Sequence, residues 1–285
     1  MQITYEKLEA LYAKYNKFYY IHPDPLEFVY HYQYDHDREI VGLLSSSLAY
    51  GNVKQILKSV SIVLGKMGES PRNYILTNHE EVFFKDFEGF KHRFTTCEDF
   101  VKLLMGIKSV LKKHDSLQKC FVNCLSASNN VLTSNFIKTV SLFAKRLNAY
   151  YKDNRSYLIP SPQNGSACKR LMLYLRWMIR KDKVDPGCWN DEILSSNLII
   201  PLDTHMYQIS KAFGYTERKS ADLKTAIEIT EKFAAINSVD PVKYDFVLTR
   251  FGIRDELNYN DIYSPHSILQ IFKEHEKKKI FSFFQ

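Results

Sequence analysis

The sequence reads as all-α, and three observations carry that reading. Glycine and proline are scarce, at 10 and 9 of 285 residues, too few for the many turns of a sandwich or barrel. Apolar residues recur with a period near 3.6 through nearly every segment. No internal repeat or low-complexity linker marks a clean boundary, which fits one large domain or two interleaved lobes.

Each helix follows from its local pattern. The stretch "YEKLEALYAKYNKFYY" predicts an amphipathic helix over 5–20, and "IHPDPLEF" breaks the chain at Pro23 and Pro25. Asp35 or Asp37 is placed to cap a helix over 38–50, apolar enough to be central, and Gly51 and Asn52 stop it. A helix over 53–67 follows, then a short one in "PRNYILTN" opened by proline. Helices are expected over 98–112 and 115–126, with "SASNN" as polar loop. The long helix over 133–151 sets Phe136, Val140, Phe143 and Leu147 at core spacing. A hairpin of some fifteen residues leads to a helix over 167–181, and "VDPGCWN" is a turn. Asp203 opens a helix through Phe213, and helices over 220–236 and 239–251 precede a charged, then aromatic tail, read as a docked or frayed terminus.

Composition narrows the setting. Hydrophobic residues make up 45% and charged residues 25%, ordinary for a globular protein, with 19 Tyr and 19 Phe against 2 Trp. Five cysteines without a CxxC pair fit neither a disulfide framework nor a thiolate zinc site, so no metal and no cofactor is expected. The start "MQITYEKLEA" carries charges where a signal peptide needs an apolar run, and no apolar stretch reaches the ~18 residues of a membrane span. The expected location is cytoplasmic, with reduced thiols.

The net charge is +7, and it is concentrated. Residues 152–183 hold eight Lys and Arg against two Asp, so this window carries +6 of the total. A concentrated cationic hairpin is the footprint expected for a phosphate backbone, and equally that of a solvated basic helix face.

Two residues stand out. With Ser166 as N-cap, Lys169 becomes the third residue of its helix. There the free N–H groups of the first turn, with Arg170 and Arg176 nearby, disfavour a cation and favour a nucleophilic amine. The other reading is a surface lysine whose stem lies along the helix. Asp203, in "IIPLDTHMY", is either an ordinary N-cap or a carboxylate at the mouth of a cleft.

Taken together, these features resemble the helix-hairpin-helix DNA glycosylases: a helix, a hairpin with Gly165, a helix starting near Lys169, and an apolar-Asp-Thr-His helix start. The resemblance implies an all-α protein of two lobes. A six-helix-barrel-like lobe would span 36–183, and residues 1–35 with 184–285 would form the second. It implies that Lys169 attacks C1′ of a damaged nucleotide and that Asp203 supports the nucleophile and the developing sugar cation. "REIVGLLSSSLAYGNVKQI" (38–56) is similar to the early helix near the lesion pocket, and "VKYDFVLTRFG" (242–252) to the late helix behind the site. Over nearly the whole chain, "GSACKRL" and "PLDTH" also resemble the signatures of an uncharacterised bacterial family.

The chain departs from the superfamily's "LPGVGxK" hairpin: Gly165 alone remains, and the lysine lies four residues past it. The 34 positions from Lys169 to Asp203 are nearer to the archaeal 8-oxoguanine glycosylases than to the endonuclease III branch. No four-cysteine motif follows, which excludes that branch's iron–sulfur centre.

The implied function is base excision from damaged duplex DNA by a nucleoid-associated monomer, acting on an oxidised purine such as 8-oxoguanine, with AP lyase chemistry available. Gly165, Ser166, Arg170, Arg176 and His205 are the expected DNA contacts. Trp177, Trp189, Tyr34 and Tyr50 are the candidates for lining a base pocket. Two alternatives stay open: a DNA- or RNA-binding module without catalysis, and a helical protein whose basic face binds an acidic partner.

Overall fold

A computed structural model describes residues 3–126, 133–189, 193–254, 256, 257 and 262. The "SASNN" loop beyond its first residue and the tail expectation lie outside those residues. The described chain is helical, with one two-stranded hairpin as its named sheet.

Helix α1 (Tyr5–Tyr15) starts where the Thr4 hydroxyl accepts from Lys7 N at 3.3 Å. It is shorter than expected. The chain turns at Asn16, and two 3₁₀ segments, Phe18–Tyr20 and Pro25–His31, carry it to α2 (Asp35–Ser47). Helix α2 is the central element: ten of its thirteen residues are buried. Neither Asp35 nor Asp37 caps it; its N-cap is Tyr34, without a side-chain bond. Asp37 is drawn away to the next turn of structure, where its Oδ1 accepts from Ser70 Oγ (2.9 Å) and Arg72 N (2.8 Å).

Helix α3 (Val53–Met67) begins at an Asn52 cap and ends at Gly68, φ +71°. Helix α4 (Pro71–Thr77) has proline in its first turn. Next come a seven-residue helix that the periodicity did not reveal, α5 (Glu80–Asp86), and the hairpin of β1 (Lys91–His92) and β2 (Thr95–Thr96). Lys91 pairs with Thr96 and His92 with Thr95. The Thr96–Asp99 capping box starts α6 (Cys97–His114), and α7 (Leu117–Ser126) and α8 (Thr133–Leu147) follow.

Helix α2 packs on α9 (Lys169–Ile179), α4, α3 and α7, and α6 packs on α4, α5, α7 and α8. Beyond α9, α10 (Thr204–Ala212) packs on α12 (Asp245–Arg250), which also touches α1; α11 (Leu223–Ala234) lies between them in sequence. The core therefore joins the N-terminal helices to the last ones. No helix among the described residues is long and apolar enough to cross a membrane.

Candidate functional site

The loop before α9 sets the lysine's position. Ser166 does not cap the helix: its Oγ accepts from Cys168 N at 3.2 Å, a local turn. Cys168 is the N-cap residue instead, in the left-handed region at φ 47°. Lys169 is thus the first helical residue, two positions nearer the end than expected. Side chains on a helix tilt towards its N-terminus, so the Lys169 side chain reaches past the end of α9.

What it meets is the start of α10. Asp203 Oδ1 caps that helix, accepting from Met206 N at 2.8 Å, and Oδ2 lies 3.9 Å from Lys169 Nζ. Cap and cleft carboxylate are one group, so the two readings of Asp203 do not compete. Asp203 is 15% and Lys169 37% exposed in their side chains, so both are open to a cavity of about 330 Å³ that they line. A salt bridge at this distance with this exposure is weak as a stabilising contact.

The cavity's wall is charged in layers. Arg176 lines it, but at 2% exposure it reaches no phosphate. Its guanidinium is bound to Asp185 at 3.1 Å and, more closely, to Asp245. This corrects its expected DNA contact: two buried carboxylates fix the side chain inward. Arg250 pairs with Asp24 at 2.7 Å, and both line the same cavity. Asp24, Asp245 and Arg250 are not singled out by the sequence, although Asp245 and Arg250 lie in the 242–252 stretch that the resemblance sets behind the site, and Asp24 lies in the "HPDP" break.

Arg170 points elsewhere too. It donates to the carbonyls of Ser47 (2.9 Å) and Tyr157, with Tyr50 and Tyr157 rings at 4.7 and 4.6 Å. Like-charge crowding of Lys169 therefore falls away: both neighbouring arginines are satisfied internally, and the near charge is the Asp203 carboxylate. Arg180 is likewise buried, bound to Asp182, Asp185 and Asp240. Three of the eight cations in the basic window are thus interior, while Lys152, Arg155, Lys181 and Lys183 are exposed.

Gly165 adopts φ +76° as expected of a turn glycine. Its backbone groups are both occupied: N–H donates to Pro162 O (2.9 Å), and the carbonyl accepts from Leu223 N (3.0 Å). Its N–H is consequently not presented to a phosphate. His205 lines the cavity, its ring against Gly252, where a Cβ would lie 2.0 Å from Nδ1. That close approach brings α12 against the start of α10.

The four pocket aromatics do not line the cavity. Trp177 is fully buried, and Trp189 donates Nε1–H to the buried Glu39 Oε2 at 3.1 Å. Tyr50 is held by His92 O and Thr95 Oγ1 at 2.7 and 2.6 Å. Tyr34 stacks on His36 at the start of α2, whereas the cavity meets Ala49 and Gly51 just past its other end, roughly 20 Å along a helix of that length. Among the described residues no group of three His, Cys, Asp or Glu side chains is placed to hold a metal ion.

A lysine and a carboxylate converging from two helix starts on one cavity define the site. The chain belongs to the family described as protein of unknown function DUF2400, whose model matches residues 24–254. That span includes α2 to α12 and both Lys169 and Asp203. No curated protein and no solved structure matches the chain.

Proposed function

We propose that this protein is a base-excision DNA glycosylase of helix-hairpin-helix type, acting on an oxidised purine such as 8-oxoguanine. One observation carries the reading: Lys169 Nζ and Asp203 Oδ2 stand 3.9 Å apart at a cavity of about 330 Å³. A nucleophile needs a neighbouring base within reach, and a developing cation needs a fixed negative charge. Asp203 can serve both needs, because its other oxygen is locked on the helix cap.

In this mechanism the target nucleotide leaves the duplex stack and enters the cavity. Lys169 Nζ forms a bond to C1′ as the C1′–N9 bond breaks, and the bond's electron pair departs with the base. Asp203 takes the proton released from nitrogen. Opening of the sugar ring gives a Schiff base, and β-elimination can then break the 3′ C–O bond. The lysine helix belongs to the proposed 36–183 lobe and the aspartate to the other, with damaged duplex DNA between them and the protein acting as a nucleoid-associated monomer.

A second reading, a DNA- or RNA-binding module without chemistry, draws on the same ion pair, which can hold the amine as a structural partner of the α10 cap. Borohydride trapping on duplexes with 8-oxoguanine, uracil or an abasic site separates the two. A covalent adduct formed by wild type and lost in Lys169→Gln supports the glycosylase, and the lesion trapping best names the substrate. Binding without an adduct selects the second reading, and loss of both overturns both.

A further inference from the structure

Beside the cavity the surface carries an aromatic shelf that the proposed chemistry does not use. The two-residue loop of the β1–β2 hairpin is Arg93–Phe94, and it leaves Phe94 71% exposed. Arg93 holds φ 51°, a conformation usually left to glycine, so the loop is set firmly enough to hold a strained residue. Tyr157, 56% exposed, stands edge-on to Phe94 at 6.2 Å between ring centres, and Tyr50 edge-on to Tyr157 at 5.2 Å. Arg170, buried against both tyrosines, ties this array to α9, the helix that carries Lys169.

The shelf lies on the cavity's rim. A Cβ on Gly51 would come 2.6 Å from Arg93 Cδ, and Gly51 lines the cavity. On the far side of the hairpin, a groove of about 550 Å³ against α3 is lined by Lys58, Lys66, Lys91 and Arg93, with Glu88 its one carboxylate. Among the described residues none of these four cations is in an ion pair. Exposed rings beside unneutralised cations match the two faces of an unpaired nucleotide, its base and its phosphate.

We infer that Phe94 stacks an unpaired nucleobase at the cavity's edge, braced edge-on by Tyr157, with the flanking phosphates held along the groove by Lys58, Lys66, Lys91 and Arg93. This rests on reading the cavity as a nucleic-acid site, and not on the chemistry of Lys169. An acidic peptide would use the cations alone and leave the rings idle.

The test is fluorescence anisotropy with two labelled duplexes of equal length, one fully paired and one carrying a single bulged purine, over a range of salt. Wild type should bind the bulged duplex about tenfold more tightly. Phe94→Ala should abolish that preference, and Phe94→Tyr should keep it. Arg93→Gln should weaken both duplexes alike and flatten the salt dependence. Phe94 is exposed, so an unchanged melting temperature verifies that the alanine variant is folded. The inference is overturned by a wild type without preference, by a Phe94→Ala protein that retains it, or by no binding to either duplex. Trapping with unaltered binding by Phe94→Ala would sink the shelf and leave the glycosylase standing. Phe94-dependent binding without any adduct would do the reverse.

Discussion

Asp245 is ion-paired to Arg176 inside the protein, and the charge of Asp203 acts on it from the cavity side. Arg176 also holds Asp185, which is fully buried. Removing one partner of a buried pair leaves the rest uncompensated, which typically costs about 3–5 kcal/mol. Arg176→Met should therefore lower unfolding stability by that order in urea titration. A surface phosphate contact would leave the urea midpoint unmoved, so stability separates the interior role from the one charge alone suggests.

Asp203→Asn divides the two tasks of one side chain. The amide oxygen can still accept from Met206 N, so the cap survives and the stability change should stay under about 1 kcal/mol. The charge facing Lys169 is lost. Single-turnover base release should fall by about 10²–10³, the range for removing one preorganised electrostatic group. An equal loss of folding stability and rate would point to the cap alone.

Glu39 gives a pH signature. Its carboxylate accepts from Leu117 N and Gln118 N, both at 3.0 Å, and from Trp189 Nε1 at 3.1 Å. Burial nonetheless pushes its carboxyl up to about 7, against the pull of those three donors. A carboxyl raised in the folded state binds a proton that the unfolded chain has already lost. Its contribution is complete below about 4.5 and is lost as pH rises through about 7. The loss is on the order of 3 kcal/mol. Trp189 fluorescence should titrate with a midpoint near 7, and Glu39→Gln should remove both the titration and that part of the stability slope.

Gly252→Ala tests the approach of α12 to α10. The added methyl would stand 2.0 Å from His205 Nδ1, so the ring or the helix must move. Overpacking of this kind costs about 1–3 kcal/mol. The shift falls two residues from Asp203, so base release should drop along with the melting temperature. Gly165→Ala meets no atom within 4 Å and should leave the cavity intact, its cost confined to the strained φ.

The helices that the sequence placed best are those with a signal at both ends. Helix α3 matches residue for residue, because Asn52 caps it and Gly68 stops it. The α2 start was misplaced because Asp37, a fitting cap by type, bonds Ser70 and Arg72 from a later segment. Helix α5 and the hairpin are too short for a period to show. At the site, Lys169 and Asp203 were legible as local helix-start residues. The fate of Arg176 was not, since Asp185 and Asp245 reach it from positions 9 and 69 residues away. Charge counted along a sequence cannot tell an outward arginine from one that folds around a distant carboxylate.

The charge network around Arg176 and Arg180 has a consequence for how the chain can be cut. Its carboxylates come from Asp182, Asp185, Asp240 and Asp245, on both sides of residue 183. A fragment ending at 183 would keep the two guanidiniums and lose three of their four counter-charges. On a growing polypeptide the counter-charges of this helix are complete only once residues 240–245 have been made. The stretch from Arg176 to Asp245 is thus bound by its charges into one unit.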